Sequence, residues 1–120
     1  MTKEQRKDIS KHIKSQKGQK YPCGNQVVCC GYFSYKEDWE KFCKKNKYFI
    51  EYKRKDSIRL KNNEIWRFFN LGILAENIRG FRFYKITIDK SINPDLFYNY
   101  IYPCCIHYCK KIKWIGKKER

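Results

Sequence analysis

Residues 56–92, DSIRLKNNEIWRFFNLGILAENIRGFRFYKITIDKSI, constrain the fold of this chain more than any other stretch. Ile58 and Leu60 alternate with Arg59, the period of a strand with one buried face. Asn62-Asn63 come next, a pair able to take the positive φ angles of a tight two-residue turn. The return strand reads Ile65-Trp66-Arg67-Phe68-Phe69, and a turn over Ala75 to Gly80 follows. From Phe81 to Ile88 the chain is again β-prone, and it ends on the acid Asp89.

Hairpin, then Glu76-Asn77-Ile78-Arg79-Gly80, then an apolar strand closed by an acid resembles the middle of the ATPase domain of phage terminase large subunits and related P-loop ATPases. The resemblance reaches back loosely to Val27-Val28-Cys29-Cys30-Gly31-Tyr32, an earlier strand of the same sheet. It implies that Phe81–Asp89 is a Walker B strand and that Asp89 holds the Mg²⁺ bridging nucleotide phosphates. Two departures limit it. The chain has no G-x-x-x-x-G-K-[ST] loop, whose backbone N–H groups and Lys cradle phosphates. After Asp89, where the family carries a catalytic Glu, stands Lys90. Without cradle and water-positioning acid, ATP hydrolysis by this chain alone is not expected. The resemblance thus implies ancestry and a piece of fold, and an unrelated small α/β domain would present the same hairpin and strand.

The flanks supply helices. Residues 1–20 read as a basic N-terminal helix: Thr2 and Gln5 make a capping-box pair, Ile9 and Ile13 share one face, and Gly18 stops it. With two apolar anchors it should dock weakly, leaving Arg6, Lys7, Lys11 and Lys14 toward solvent or phosphate. A polar loop spans 17–26, and Val27–Phe33 is short and apolar enough for a buried strand. Ser34 with Glu37 suggests the cap of a second helix, whose apolar stripe is Trp39, Phe42 and Cys43. Tyr48–Tyr52 reads as a strand that ends in the cluster Lys53-Arg54-Lys55. Asn93-Pro94-Asp95 is a strong helix start, with Pro103 as its end. Cys104–Trp114 is apolar and then basic, a strand or short helix, and 116–120 should fray. The order α-β-α-β-β-β-β-α plus a tail predicts a single α/β domain (α+β is the alternative). A small mixed sheet with a central hairpin would be packed by two to three helices. A crossover through 27–52 would make part of that sheet parallel.

Charge decides the class of partner. The net charge is +16, and the excess is uneven. Residues 1–20 carry seven bases against two acids, 36–61 ten against five, 108–120 six against one, and 62–107 five against four. Such an excess at the ends and on the second helix suits a polyanion, with counterion release driving affinity. An acidic protein is the other partner class, and Lys-rich solvated surface is the plain alternative. Rings interleave with bases at Trp66–Phe69, Phe81–Lys85 and Tyr108–Trp114, as base stacking beside phosphate contacts requires. At most half of these rings can serve, because alternate strand residues face opposite sides. The candidate nucleic-acid contacts are Arg6, Lys7, Lys11, Lys14, Lys44, Lys45, Lys53, Arg54, Lys55, Arg67, Arg79, Arg82, Lys110, Lys111 and Lys113. Arg79 and Arg82 either meet phosphate or tie down their turn through backbone carbonyls.

Seven cysteines without an apolar leader fit free thiols in a reducing, cytoplasmic setting. No run is long enough to span a membrane. No cofactor is expected. Zinc at Cys105, His107 and Cys109 would need a fourth ligand from across the fold, Cys23 or Cys29-Cys30, and its spacing is poor. Asp89 with Glu76 or Asp95 lacks a recognisable metal motif, and His107 lacks an orienting acid for cysteine catalysis. The expectation is a small basic phage-type protein, not an enzyme, that binds nucleic acid or a nucleoprotein complex, as a host-takeover or anti-defence inhibitor would. The alternative is a degenerate P-loop ATPase-like or DNA-packaging accessory that keeps Mg-nucleotide binding at Asp89.

Overall fold

The computed structural model describes residues 1–15, 27–73, 78, 80–105 and 109–116. Six strands, β1 (Val28–Ser34), β2 (Ile50–Arg54), β3 (Ser57–Leu60), β4 (Glu64–Asn70), β5 (Lys85–Asp89) and β6 (Lys111–Ile115), form one mixed sheet. Their order is β2-β3-β4-β1-β5-β6. The α/β class and the mixed sheet are as the sequence predicts, and the tail supplies the sixth strand.

The hub is β1. Its sequence, Val-Cys-Cys-Gly-Tyr-Phe-Ser, carries no charge, and such a run suits a parallel strand buried on both faces. It pairs in parallel with β4 from Val28↔Glu64 to Ser34↔Asn70, and with β5 from Cys30↔Lys85 to Phe33↔Ile88. β6 adds to β5 in parallel, and β2 and β3 extend the other side as an antiparallel meander. Gly31 is required by close approach: a Cβ there would sit 2.5 Å from the Phe33 ring and 3.2 Å from the Phe83 ring.

One face of the sheet presents Phe33, Ile86 and Ile88 to α1 (Lys3–Lys14) and to the helical segment after β5, and the core here includes Ile9, Ile13, Phe97 and Ile101. The other face presents Cys30, Tyr32, Ile58, Leu60 and Trp66 to α2 (Lys36–Lys45), which contributes Trp39 and Cys43. Three layers result. Burial on this scale is the main stabilising term, at about 25 cal/mol per Å² of apolar surface.

Local signals fared unevenly. α1 carries the expected capping box: Gln5 N donates to Thr2 Oγ1 at 3.2 Å, and Thr2 N to Gln5 Oε1 at 2.9 Å. It ends at Lys14 with Ser15 as C-cap, and 16–26, with the Gly18 stop and the polar loop, lie outside the described residues. Ser34 is not a helix cap. It is the fully buried last residue of β1, its hydroxyl bonds the Asp38 carboxylate, and Tyr35 takes the N-cap position without a side-chain bond. The β3–β4 turn is longer than two residues, since pairing resumes at Arg59↔Ile65 and only Asn63 (φ 69°) among the described non-glycines is left-handed. A 3₁₀ turn, Lys47–Phe49, replaces the start of the strand expected at Tyr48. Phe81–Tyr84 is irregular, because Phe83 N bonds Cys104 O and leaves the sheet ladder to begin at Lys85.

After β5, Asn93 accepts from Asp95 N at 2.8 Å and Pro94 opens a short α3 (Pro94–Leu96). The helix does not stop there. It widens into a π turn, Phe97–Ile101, and tightens into a 3₁₀ turn, Tyr102–Cys104, so Pro103 lies inside the final turn. The expected strand–helix–strand crossover forms, and β2 runs in the same direction as β1, but α2 carries the chain to the far edge, so the parallel neighbours of β1 are β4 and β5. Residues 117–120 are outside the described set, as are the turn residues 74–77 and Arg79. Among the described residues, no helix is long and apolar enough to cross a membrane.

Candidate nucleic-acid interface

The β6 edge gathers basic side chains on both faces. On one face α1 lies against β6, anchored by buried Ile9 and Ile13 and by a hydrogen bond from Trp114 Nε1 to Ser10 Oγ at 3.1 Å. Helical spacing then sends Lys3, Lys7, Lys11 and Lys14 to the flank of α1 that overhangs the strand. They share a groove of about 550 Å³ with Arg6, with Lys90 from the end of β5, and with the half-buried Trp114 ring. Among the described residues, six cationic side chains line it and no carboxylate does. The Arg6 guanidinium also donates to Met1 O at 2.9 Å, which fixes it beside the helix start.

On the other face α2 covers β1, β3 and β4 but leaves β5 and β6 open. The resulting groove of about 460 Å³ is lined by Lys41 and Lys45 from α2 and by Lys85, Lys111 and Lys113 from the strands, over the rings of Tyr32, Phe42 and Trp66. Among the described residues, Asp38 is the one acid in its lining. Lys85 is neutralised at the inner end by Glu64, at 2.7 Å. Burial alone would raise the Glu64 carboxyl, but hydrogen bonds from Lys85 and Trp66 Nε1 outweigh it and hold the group below the usual carboxylate range. The Glu64 bond in turn raises Lys85. Burial pushes the Tyr32 phenol up to about 12, so it stays protonated and donates to Asp38 O at 3.2 Å.

The remaining sequence candidates scatter. Lys53 and Lys55 meet Glu40 and Asp56 in a depression of about 390 Å³ around Trp39 and Phe68, toward the β2 side. Arg54 lies over Tyr52 and Arg67 over Phe81, with 5.9 Å and 5.4 Å from guanidinium carbon to ring centroid. Lys110 sits 5.8 Å from the Tyr84 ring. Lys44 is exposed on α2 outside the described grooves, and exposed Arg82 acts electrostatically on Cys104. Arg79 lies outside the described residues. The structure therefore unites Arg6, Lys7, Lys11 and Lys14 in one groove, and Lys45, Lys111 and Lys113 in the other. Sequence reasoning passed over Lys3, Lys41, Lys85 and Lys90. Lys90 could have been found only through its position after the strand-terminal acid, because its groove partners are far away in the chain.

Asp89 is buried at the carboxyl end of β5, where Oδ1 accepts from Ser91 N at 2.9 Å. Gly116 presses on the same carboxylate. With φ +104°, it occupies space where a Cβ would come within 2.7 Å of Oδ2. The connections from the neighbouring strands β1 and β5 leave here toward opposite faces and opposite edges, as at the crevices where open α/β sheets bind ligands. Cys105 and Cys109 are buried, and their thiols also donate to Ile101 O and Lys111 O, each at 3.4 Å. Their mutual hydrogen bond and burial raise Cys105, whereas for Cys109 the bond from Cys105 outweighs burial and lowers it. His107, Cys23 and Glu76 lie outside the described residues, among which no three metal-ligating side chains come together. In the comparisons with known proteins, no family model, no curated protein and no solved structure matches this chain.

Proposed function

We propose that this protein works by binding, and that its ligand is the phosphate backbone of a nucleic acid held against the β6 edge of the sheet. The observation that carries the reading is the groove between α1 and β6, whose lining among the described residues holds six cations and no acid around one tryptophan. Repulsion among these ammonium groups is relieved when phosphates replace loosely held counterions, and each phosphate neutralised adds salt-dependent affinity. Trp114 adds a ring edge at the floor. In a phage setting, such a protein would act by occupying the nucleic-acid surface of a larger machine, as a takeover or anti-defence inhibitor does. Titrating labelled DNA and RNA across a salt series tests the reading. A steep loss of affinity with salt, made shallower by Lys7→Glu with Lys11→Glu, is expected, whereas a flat response would redirect the charge to an acidic protein.

A second reading rests on Asp89 at the carboxyl ends of β1 and β5. A carboxylate there suits a Mg-nucleotide, as in the ATPases that residues 56–92 resemble, and would make the protein a packaging accessory. Thermal stabilisation by Mg-ATP that disappears in Asp89→Ala supports this reading, and unchanged melting with Mg-ATP counts against it.

A further inference from the structure

We infer that the nucleic acid bound is single-stranded and that one strand occupies both grooves by turning around the β6 edge. The inference rests on the proposed polyanion binding and specifies its ligand. Successive residues of β6 point to opposite faces, so Lys111 and Lys113 enter the groove beside α2 while Trp114 enters the groove beside α1. Among the described residues no strand pairs beyond β6, and the two grooves lie on the two faces of this edge strand. A duplex, with a persistence length of about 150 bp, cannot fold around the rim of one strand. A single strand bends at every nucleotide.

The floors agree with the walls. Each groove has cationic sides over aromatic side chains: the half-buried Trp114 in one, and in the other the partly exposed Phe42, with Tyr32 and Trp66 buried beneath it. Lysine walls serve phosphate in any nucleic acid, but only an unpaired base can turn its ring inward to an apolar floor. Charge selects the same occupant. Four of the five lysines beside α2 stand apart from Glu64, and Asp38, the lone carboxylate, is bonded to Ser34.

The test compares a fluorescein-labelled single-stranded DNA of mixed sequence with its annealed duplex, by anisotropy on the full chain. Lys7→Glu/Lys11→Glu marks one groove and Lys111→Glu/Lys113→Glu the other; all four side chains are exposed, and melting curves verify that each variant is folded. The single strand should bind about tenfold or more tightly than the duplex. Each pair of reversals should weaken it by about tenfold and flatten the salt slope by about 1.4, from roughly 0.7 per phosphate on a single strand. Equal or tighter binding of the duplex overturns the strand assignment and leaves the polyanion reading intact. If one pair of reversals has no effect, the path through both grooves is overturned. If neither DNA binds and an RNA strand of the same sequence does not bind either, the underlying polyanion reading fails.

Discussion

The two edges of the sheet hold their bases in different company. At the β2 edge, Arg59 meets Glu51 at 3.4 Å, Lys36, Lys53 and Lys55 share a depression with Glu40 and Asp56, and Arg54 lies over Tyr52. At the β6 edge the grooves gather eleven bases and one carboxylate. A local imbalance, not the total charge, is what distinguishes a binding surface from an ordinary solvated one. The β2 side shows aromatic surface as well, with Tyr48 81% and Phe49 59% exposed.

The strongest way to break this contrast is charge reversal. Lys7, Lys11, Lys111 and Lys113 changed together to Glu should weaken single-strand binding by about 100-fold or more, while reversal of Lys53, Arg54 and Lys55 should change it by about threefold or less. Comparable losses from the two sets, read by anisotropy at one salt concentration, would erase the distinction between edges.

The next effect concerns the Glu64–Lys85 pair that separates the β6 groove from the rest of the sheet. Glu64→Gln leaves Lys85 without its counter-charge, and chemical denaturation should show a loss of about 2 kcal/mol, below the range for a fully buried pair because Lys85 is partly solvated. The Glu64 carboxyl titrates below its ordinary 4.5, so its contribution is present above that pH and is lost as the pH falls through the lower folded value. The variant should therefore show a flatter stability curve below pH 4.5.

Smaller effects sharpen the picture. Trp114→Phe keeps an aromatic floor but removes the bond to Ser10, and should cost about 1 kcal/mol in denaturant melts while leaving most of the binding. Glu51→Gln, which removes the exposed partner of Arg59, should change stability by less than about 0.5 kcal/mol. A larger loss there would mean that the β2 edge depends on its ion pairs.

What was legible in the sequence was local. The Thr2–Gln5 box, the Ile9–Ile13 stripe and the Asn93-Pro94-Asp95 start all form, because each is decided within about one helical turn. Ser34 misled because a serine before a helix looks the same whether it caps or fills a strand end, and pairing of β1 with both β4 and β5 decided the matter. Lys111-Ile112-Lys113-Trp114 alternates as a strand should, yet its place depends on parallel pairing with β5, a long-range choice. The grooves were less legible than the bases lining them, since three distant segments meet at Trp114, Lys90 and α1.

The position of β1 has a kinetic consequence. This hub, residues 28–34, is synthesised early, yet its two neighbours are residues 64–70 and 85–88, and the outermost partner of β5 comes at 111–115. Pairings so far apart along the chain close large loops before any reward arrives, which slows folding. During translation the apolar Val28–Phe33 segment stays unpaired until residues 64–70 emerge and half-paired until 85–88 follow, so nascent chains are most prone to aggregate over that interval.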